Sequence, residues 1–511
     1  MSADVQLVWL KRDLRLRDHA PIHRAAQQGP VALLYVHEPE LLESPEYDGS
    51  HFDFITQSLE ELEMTLRGMG HRLIVRYGAM PDVLEQLQTT LPFAHLWSHE
   101  ETGNRLTYDR DIRVARWCKA RGLPWTELSQ TGVLRPHPAR DGWAERWTRR
   151  MQRPLVPKPE SLPVPAWPVD FDFGNVRCED RFGVPASTKT EAVVGGEAAA
   201  QRMLDSFLSA RGVNYRSDMS SPVEGWEGCS RLSPYIAWGN ISIKTVYQFQ
   251  RRRLDQVRRS IGQSTNVDPR WRASLESFES RLRWHCHFMQ KLEDEPPIEF
   301  RNMHRGYDGL RQEDPASWRA VDRVRFDAWC SGRTGYPLID AVMRCLHKGG
   351  WINFRMRAML VSFASYHLWL HWRPCAVFLA QHFLDFEPGI HFSQFQMQAG
   401  TTGINSIRIY NPIKQVEDQD PAGTFIRRYV PELAEVPIEY LAEPHKMSPM
   451  LQSDIGVKIG SDYPSPIVEH AAAYNAAKTR MFRWRQRPQL RKEAQRVVHK
   501  HGSRKRPMTR R

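Results

Sequence analysis

Residues 6–15 read Gln-Leu-Val-Trp-Leu-Lys-Arg-Asp-Leu-Arg, and the first half of this stretch is an apolar run typical of a buried β-strand. Three more runs of this type follow in the first domain-sized part of the chain, at 32–37, 72–77 and 95–99. Helical spacing of apolar residues separates the runs, at 58–66, 83–91 and 106–121. Strands that alternate with helices predict an α/β domain with a doubly wound parallel sheet over residues 1–133.

The chain changes character after this domain. Eight prolines fall between residues 136 and 168, and this density predicts an irregular connector over residues 134–195. From residue 196 onward the apolar spacing is helical, which predicts a large all-α domain over residues 196–482. Its clearest helices are expected at 242–257, 271–292, 337–347, 353–369 and 375–383.

The formal net charge of +12 is concentrated at the C-terminal end. Residues 481–511 contain twelve Lys or Arg and one acid, so the preceding part of the chain carries a net charge of only +1. We predict a basic, partly disordered tail over residues 483–511. Two interpretations remain open: the tail binds a polyanion such as DNA, or it is a solvated segment that aids solubility.

Motifs that are absent also restrict the function. No GxGxxG and no P-loop pattern is present, so the sequence does not support those two nucleotide sites. The seven cysteines form no CxxC pair, which favours reduced, buried thiols and no metal; an iron–sulfur cluster built from four of them is the alternative. Without an eighteen-residue apolar run or a signal-peptide pattern, we expect a cytoplasmic protein that does not contact a membrane.

Two segments of the helical part carry unusual polar groups. The run Ser-Arg-Leu-Ser-Pro at 230–234 is typical of a capped helix start, and equally of a phosphate site at a helix N-terminus. Farther along, Arg355 and Arg357 lie on different faces of one helix. A buried arginine requires an acid, and Asp385 or Glu387 can supply it. This cluster is either a structural ion pair or a polar group presented to a ligand.

Five motifs occur in the order found in the DNA photolyase/cryptochrome family, which the chain closely resembles over roughly residues 5–440. They are Leu-Val-Trp-Leu-Lys-Arg-Asp-Leu-Arg at 7–15, Ser-Arg-Leu-Ser-Pro-Tyr at 230–235, Thr-Gly-Tyr-Pro-Leu-Ile-Asp-Ala-Val-Met-Arg at 334–344, Gly-Trp-Ile-Asn-Phe-Arg-Met-Arg at 350–357, and Arg-Ile-Tyr-Asn-Pro at 408–412. Each motif alone is weak, whereas five in order with sensible spacing are specific.

The resemblance implies a U-shaped FAD in the helical domain. The residues implied around its phosphates are Tyr215, Cys229, Ser230, Arg231, Leu232 and Ser233. The residues implied around its flavin ring are Asn353, Arg357, Asp385 and Glu387. Two of these positions depart from the family: Cys229 stands where threonine is frequent, and Phe354 takes the usual place of the asparagine, which moves to Asn353.

The resemblance also implies a DNA partner that contains UV photoproducts. Family members flip a pyrimidine dimer out of the duplex into a pocket above the flavin. The residues implied on this substrate face are Trp284, Arg355, Met397 and Arg408. Trp284 suits stacking on an extruded base, and Arg355 suits a flanking phosphate. The alternative for Trp284 is a core tryptophan on its own helix.

Further positions near the flavin depart from the family pattern. Arg281 replaces a glutamate, and His285 replaces an arginine. His391 and Phe395 are the nearest occupants of the places of an asparagine and a tryptophan that face the ring. His285 and His391 are therefore candidate catalytic partners, and His285 is expected to change charge near neutral pH.

The resemblance implies a photoreduction wire of three tryptophans. Trp372 matches the middle one and Trp318 lies close to the outer one, while Phe395 occupies the inner position. Because phenylalanine is far harder to oxidise than tryptophan, we expect slow photoreduction or a different first donor. Tyr410 and Trp351 are the candidates for that donor.

The sequence thus predicts a monomeric, light-driven enzyme that repairs pyrimidine dimers in DNA by electron transfer from FAD. The alternative is a photosensory cryptochrome with FAD and little or no repair activity; a non-catalytic nucleic-acid-binding protein is a third interpretation. Cyclobutane and (6-4) lesions both remain open as substrates. A second, antenna chromophore is expected in a cleft walled by residues 98–102, with pterin, deazaflavin and lumazine as alternatives.

Overall fold

The computed structural model describes residues 4–135, 140–178, 180–263 and 267–502. Its first domain contains one parallel sheet with the strand order β3-β2-β1-β4-β5. The strands are β1 Val5–Leu10, β2 Val31–His37, β3 Leu73–Tyr77, β4 Phe93–His99 and β5 Trp125–Leu128. The helices around them are α1 Ala20–Ala26, α2 Pro39–Leu42, α3 Gly49–Gly68, α4 Met80–Thr90 and α5 Arg105–Arg121. The predicted doubly wound α/β domain is confirmed.

The four predicted strands are confirmed, with their starts shifted by one or two residues, whereas the prediction missed β5. This strand reads Trp-Thr-Glu-Leu, and all four of its residues are half-buried at the edge of the sheet. The central strands β1 and β2 are almost entirely buried because helices cover both faces of a parallel sheet. Strand β5 lacks that burial and also lacks the apolar run by which the others were found, whereas β3 at the opposite edge still buries its first three residues.

The connector is more regular than its proline content suggested. Residues Trp143–Met151 form helix α6, which buries Trp143, Trp147 and Met151 against the rest of the protein. The expectation of an irregular segment is wrong here because all the described prolines follow this helix, in irregular chain from Pro154 onward. Pro136 and Pro138 lie outside the described residues.

The second part of the protein is almost entirely helical, as predicted. Its longer helices are α7 Glu197–Ser209, α11 Ile243–Gly262, α12 Arg270–Asp294, α13 Ala320–Cys330, α14 Pro337–Gly349, α15 Phe354–Ser362, α16 Trp372–His382, α17 Pro388–Ala399, α18 Pro412–Gln419, α21 His470–Arg485 and α22 Gln489–His501. Its short helices are α8 Tyr215–Asp218, α9 Gly225–Gly228, α10 Ser233–Ala237, α19 Thr424–Tyr429 and α20 Pro449–Asp454. The helix expected over 353–369 stops at Ser362 and continues as a π-helical turn, Phe363–His367. None of the described helices is long and apolar enough to cross a bilayer.

Over its described residues, 483–502, the C-terminal segment is largely helical and not the partly disordered tail that its charge suggested. Helix α22 buries Leu490, Val497 and His501 against the helical domain. His501 and Arg496 both contact the carboxylate of Glu295, at 2.7 and 3.1 Å. The prediction is wrong because the basic residues obscured an apolar stripe that a helix brings onto one face. Residues 503–511 lie outside the described part of the chain.

The loop after β1 is fixed by a buried carboxylate. Asp13 accepts hydrogen bonds from His19 Nε2 at 3.0 Å and from His99 Nδ1 at 2.7 Å. Among the described residues these three form the one grouping of His, Cys, Asp and Glu with ligand atoms close enough for a metal. His19 Nδ1 already accepts the backbone N–H of Ile22, so its Nε2 carries the proton that Asp13 accepts. The grouping is therefore saturated by its own hydrogen bonds, and it contains no cysteine for the iron–sulfur alternative.

Both domains contribute to the position of one short segment, 383–386. Its backbone carbonyls accept hydrogen bonds from His51 Nε2, Trp238 Nε1 and Arg12 Nη1 at 2.9, 2.8 and 3.0 Å. His51 and Arg12 belong to the α/β domain, and Trp238 follows α10. These contacts hold the segment that carries Asp385 rigidly at the domain junction.

Candidate functional site

A buried ion pair lies at the centre of the helical domain. Arg357 of α15 donates two parallel hydrogen bonds to Asp385, with Nη1–Oδ1 at 2.9 Å and Nη2–Oδ2 at 2.7 Å. Its Nε donates to the carbonyl oxygen of Ile352 at 2.9 Å, which fixes the plane of the guanidinium group. The Asp385 side chain is only 3% exposed, whereas that of Arg357 is 26% exposed. The predicted pair therefore forms, with part of its cation directed to open space.

Three ionisable groups surround this pair. His391 Nε2 donates to the carbonyl oxygen of Ala376 at 2.7 Å, and burial lowers its pKa to about 4. Burial also lowers the pKa of His285 to about 4. Burial raises the pKa of Glu387 to about 7, despite the Arg12 guanidinium 3.7 Å away. At neutral pH both imidazoles are uncharged, so the expectation that His285 titrates near neutrality is wrong.

His391 gives the protein an acid sensitivity that can be measured. The unfolded chain protonates this imidazole near pH 6.5, but the folded protein does so only near pH 4. The unfolded state thus binds more protons in between, and the free energy of unfolding falls as the pH drops. For His391 the fall from pH 7 to pH 5 is about 2 kcal/mol. His391→Gln, which keeps a donor for Ala376, should remove that share.

Urea unfolding at the two pH values checks this prediction. The matched control is His23→Gln at an exposed histidine of the α/β domain, which should keep the wild-type acid sensitivity. Equal losses of stability in His391→Gln and the wild type would contradict the burial argument.

The segment 230–233 leads into helix α10, and within it the Leu232 N–H donates to Ser230 Oγ at 3.5 Å. Helix α10 begins at Ser233, and no side chain caps it. Arg231 adopts the left-handed backbone conformation with φ of 54°, which costs a non-glycine residue energy and is found in ligand clamps. The Nε atom of Arg231 is buried without a hydrogen-bond partner among the described residues. Uncapped N–H groups beside an arginine favour the phosphate interpretation over the simple helix cap.

Helices α12 and α15 carry two of the residues predicted on the substrate face, Trp284 and Arg355. Trp284 is 39% exposed and stacks on Phe288 of its own helix at a ring distance of 5.5 Å. Arg355 lies two residues before Arg357 on the same helix, and its Nε is buried without a partner in the described part of the chain. The core interpretation of Trp284 is therefore wrong. Of the other predicted members, Met397 is half-buried and Arg408 is exposed.

A separate cleft lies at the carboxyl ends of the strands, between β1 and β4, where the strand order reverses. It has about 770 Å³ of space, and its lining includes Arg12, His37, Tyr47 and Glu101. Both ring nitrogens of His37 and the Tyr47 hydroxyl are buried without partners among the residues described. Ligands of open α/β sheets bind at such a switch point. Of the predicted wall, 98–102, Glu101 lines the cleft; His37 and Tyr47 were missed, although His37 ends a strand at this edge.

Comparison with known proteins agrees with this arrangement. A family model described as DNA photolyase matches residues 6–146, and one described as the FAD-binding domain of DNA photolyase matches residues 278–483. A deoxyribodipyrimidine photo-lyase of Thermus thermophilus is 30% identical over 434 residues, which is 83% of this chain and 92% of the relative. The chain belongs to the DNA photolyase/cryptochrome family. FAD is accordingly the cofactor of its helical domain.

Relatives of both kinds are found within the family. A deoxyribodipyrimidine photo-lyase of Halobacterium salinarum is 28% identical and covers 91% of this chain and 96% of its own. A cryptochrome DASH of Gloeobacter violaceus is 27% identical and covers 93% of this chain and 97% of its own. The fold is shared with a class III photolyase of Agrobacterium tumefaciens, at a TM-score of 0.81 and 24% identity over 95% of this chain and 98% of that one.

The residues present fit the cofactor of this family. The open N–H groups and the unpaired Arg231 Nε suit a pyrophosphate, and the Arg357–Asp385 pair offers a fixed polar edge to a ring. Two predicted members have other surroundings. Tyr215 packs edge-on against Phe207 and Phe278, with ring distances of 5.6 Å. Cys229 is buried, and burial raises the pKa of its thiol to about 12.

The side-chain amide of Asn353 is hydrogen-bonded to the protein backbone. Its Oδ1 accepts the backbone N–H of Met356 at 3.0 Å, and its Nδ2 donates to the carbonyl oxygen of Ser221 at 2.6 Å. Each half of the amide therefore makes a hydrogen bond within the protein, and cofactor binding by Asn353 stays a prediction. The shift of the family's asparagine by one residue places it at the N-cap of α15, where its amide stabilises the helix.

The tryptophans of the expected wire lie in different environments. Trp372 is fully buried, donates from Nε1 to Asn302 at 2.9 Å, and has Phe392 as an aromatic neighbour at 6.4 Å. Trp318 is half-buried and contacts Phe326 at 5.2 Å. Within the described chain no ring contact joins Trp318 to Trp372.

Proposed function

We propose that this protein is a light-dependent deoxyribodipyrimidine photo-lyase that repairs pyrimidine dimers in DNA. The observation that supports repair most directly is the exposure of Trp284, which lies on the helix that also carries His285. A flat aromatic surface at the mouth of a cofactor site suits an extruded pair of bases. When bound, reduced and excited, FAD supplies the electron for the reaction; the residues bind, orient and exclude water.

The residues divide this work between two ends of the site. Ser230, Arg231 and Ser233 would hold the phosphates of FAD by backbone N–H groups and one guanidinium. Arg357 and Asp385 would orient the ring end, because their bidentate contact leaves neither group free to rotate. The ring end of the site also contains three uncharged or weakly charged groups, Glu387, His391 and His285. Their state keeps the net charge around the flavin ring low.

The substrate face would recognise DNA by two kinds of contact. Trp284 would stack on the flipped lesion and thus distinguish damaged from intact DNA. Arg355, with its unpaired Nε, would bind a phosphate beside the lesion, as would Arg408 at the rim. Met397 would contribute apolar surface between them.

A photosensory function is the second candidate, and the same site gives the reason. His391 and Phe395, whose rings lie 4.6 Å apart, occupy the positions where the family's asparagine and inner tryptophan are expected. Such a change alters cofactor reduction without removing the cofactor. Repair of a defined lesion under illumination separates the two candidates.

Replacement of Trp372 tests the route of photoreduction. Phe395 interrupts the wire at its inner end, so another residue, such as Trp351, is expected to donate the first electron to the flavin. In that case Trp372→Phe should slow the light-driven loss of flavin absorption less than about threefold. A much larger slowing would show that electrons pass through Trp372 despite Phe395. Flavin content measured before illumination controls for misfolding, since Trp372 is fully buried.

The basic C-terminal segment from residue 483 onward, which includes the end of α21 and α22, is proposed to add DNA affinity that does not depend on damage. Truncation would remove the buried residues of α22, so exposed cations are the better target. Arg483→Gln, Arg491→Gln and Lys492→Gln together should lower the salt dependence of duplex binding, by about 0.9 in the logarithmic slope for each phosphate that is no longer neutralised. Lesion preference should stay unchanged. An unaltered slope would favour the solvated, solubilising interpretation.

We also propose that the cleft around His37 and Tyr47 holds a second chromophore. Its unpaired polar atoms need hydrogen-bond partners, and a flat heterocycle can supply them. A photolyase of Sulfolobus tokodaii, 24% identical, is described as holding two FAD molecules, with the implication of a novel light-harvesting cofactor. Mass spectrometry of the chromophores released from purified protein tests this, with His37→Phe as the variant expected to lose the second one only.

A further inference from the structure

A second cavity of the helical domain lies at the start of α15 and is lined by Asn353 and Met356 but not by Arg357. It has about 550 Å³ of space between α9, α14, the start of α15 and α19. Its lining includes four aromatic side chains, Trp226, Trp351, Phe425 and Tyr429. A concave cavity lined mainly by apolar and aromatic side chains is typical of a small-molecule site.

The two tryptophans separate this cavity from the proposed phosphate end of the FAD site. Their rings meet edge to face at 5.7 Å. The Arg231 guanidinium lies over the Trp226 ring, 4.8 Å from the ring centroid, and Trp351 Nε1 donates to Ser233 Oγ at 3.1 Å. Because Arg231 and Ser233 belong to the 230–233 segment, the tryptophans form a wall with the FAD site on one side and the cavity on the other.

Among the described residues that line the cavity, Arg428 is the one that carries a charge. Its side chain is 60% exposed, and its Nη2 donates to Glu191 at 3.1 Å. Nothing else in the described part of the chain accepts a hydrogen bond from it, so the remaining N–H groups of the guanidinium are available. Glu191 also accepts the Tyr429 hydroxyl at 3.3 Å, which holds the arginine at the cavity rather than in bulk solvent.

We propose that this cavity binds a one- or two-ring aromatic carboxylate. The ring would pack between the tryptophan wall and the rings of Phe425 and Tyr429, where edge-to-face and stacked contacts are favourable. The carboxylate would accept the free N–H groups of Arg428. The proposal is independent of the repair activity and assigns the cavity a ligand other than FAD.

Calorimetric titration of the FAD-loaded full-length protein with 2-naphthoate tests the proposal. We expect one saturable site, no release of FAD, and at least about tenfold weaker binding of 2-naphthamide, which lacks the charge. Cyclohexanecarboxylate, which lacks the aromatic ring, should also bind at least about tenfold more weakly, since it cannot stack on the tryptophan wall.

Variants locate the site. Arg428→Gln should weaken naphthoate binding about tenfold or more, and Val223→Phe, which fills the cavity from its half-buried rim, should abolish it. Lys414→Gln, at a lysine 63% exposed on α18, is the matched control and should bind like the wild type. Thermal unfolding and flavin content of each variant report whether it is folded.

A second measurement uses the wild-type protein and does not depend on those variants. With 5-fluorotryptophan incorporated, naphthoate should shift the ¹⁹F resonances of Trp226 and Trp351, assigned by Trp226→Phe and Trp351→Phe, and leave the others in place. The proposal is overturned if naphthoate gives no saturable binding, if it displaces FAD, or if it binds while these two resonances do not move.

Discussion

Replacement of Arg357 by alanine should leave the purified protein without flavin and lower its free energy of unfolding by about 3–5 kcal/mol. The reason is the carboxylate that remains. Asp385 is 3% exposed, and Arg357 donates a hydrogen bond to each of its two oxygens. Without the guanidinium an uncompensated charge is left in the protein interior, at the position proposed for the ring end of FAD. Urea unfolding and the flavin absorption of the purified variant measure the two effects.

Two further variants separate the ion pair from general damage to α15. Arg355→Ala removes an arginine from the same helix that has no acid partner among the described residues, so stability and flavin content should stay close to wild type. Asp385→Asn added to Arg357→Ala removes the stranded charge and should recover much of the lost stability, as a double-mutant cycle would show. Full flavin content together with wild-type stability in Arg357→Ala would refute this account of the site.

Replacement of Trp284 by alanine should weaken binding to damaged DNA by about ten- to a hundredfold. Stacking of a base on an aromatic side chain contributes roughly 1–3 kcal/mol, and the 39% exposure of Trp284 leaves its ring available for this contact. Binding to undamaged duplex should change little, because contacts to the backbone carry no information about the lesion. Competition titrations with matched damaged and intact oligonucleotides measure both affinities.

Two controls define what this change means. Tyr77→Ala removes an aromatic side chain of similar exposure, 47%, from the α/β domain and should leave both affinities unchanged. Arg355→Ala should weaken both affinities, and the damaged duplex more strongly if this arginine binds phosphates that flank a flipped dimer. Equal weakening of damaged and intact DNA by Trp284→Ala would show that the tryptophan does not read the lesion.

The fold could be predicted wherever burial leaves a periodic pattern. The strands β1 to β4 have apolar runs because helices cover both of their faces, and the long helices have apolar stripes. The edge strand β5 has neither, so it was missed. Helix α22 does have an apolar stripe, but the twelve basic residues of the same segment led to the prediction of a disordered tail.

The sequence was sufficient to predict which residue types form the candidate site. It was not sufficient to predict their hydrogen bonds and burial. The need of a buried arginine for an acid led to the Arg357–Asp385 pair, which the structure contains. The spacing of residues did not reveal that Asn353 would cap α15, since that depends on where Ser221 lies. Nor did it reveal the low pKa of His285, because desolvation by neighbours distant in sequence determines it.

The most direct test of the central claim is light-dependent repair by the FAD-loaded, reduced protein. Two oligonucleotide duplexes are needed, one with a single cyclobutane pyrimidine dimer and one with a single (6-4) photoproduct, each incubated under blue light and in darkness. Chromatography of the digested strands then measures the remaining lesion. We expect one of the two lesions to be restored to intact pyrimidines in the light and neither in the dark. If a protein with full flavin content restores neither lesion and binds damaged and intact duplex equally, it is not a photo-lyase, and the photosensory function takes its place.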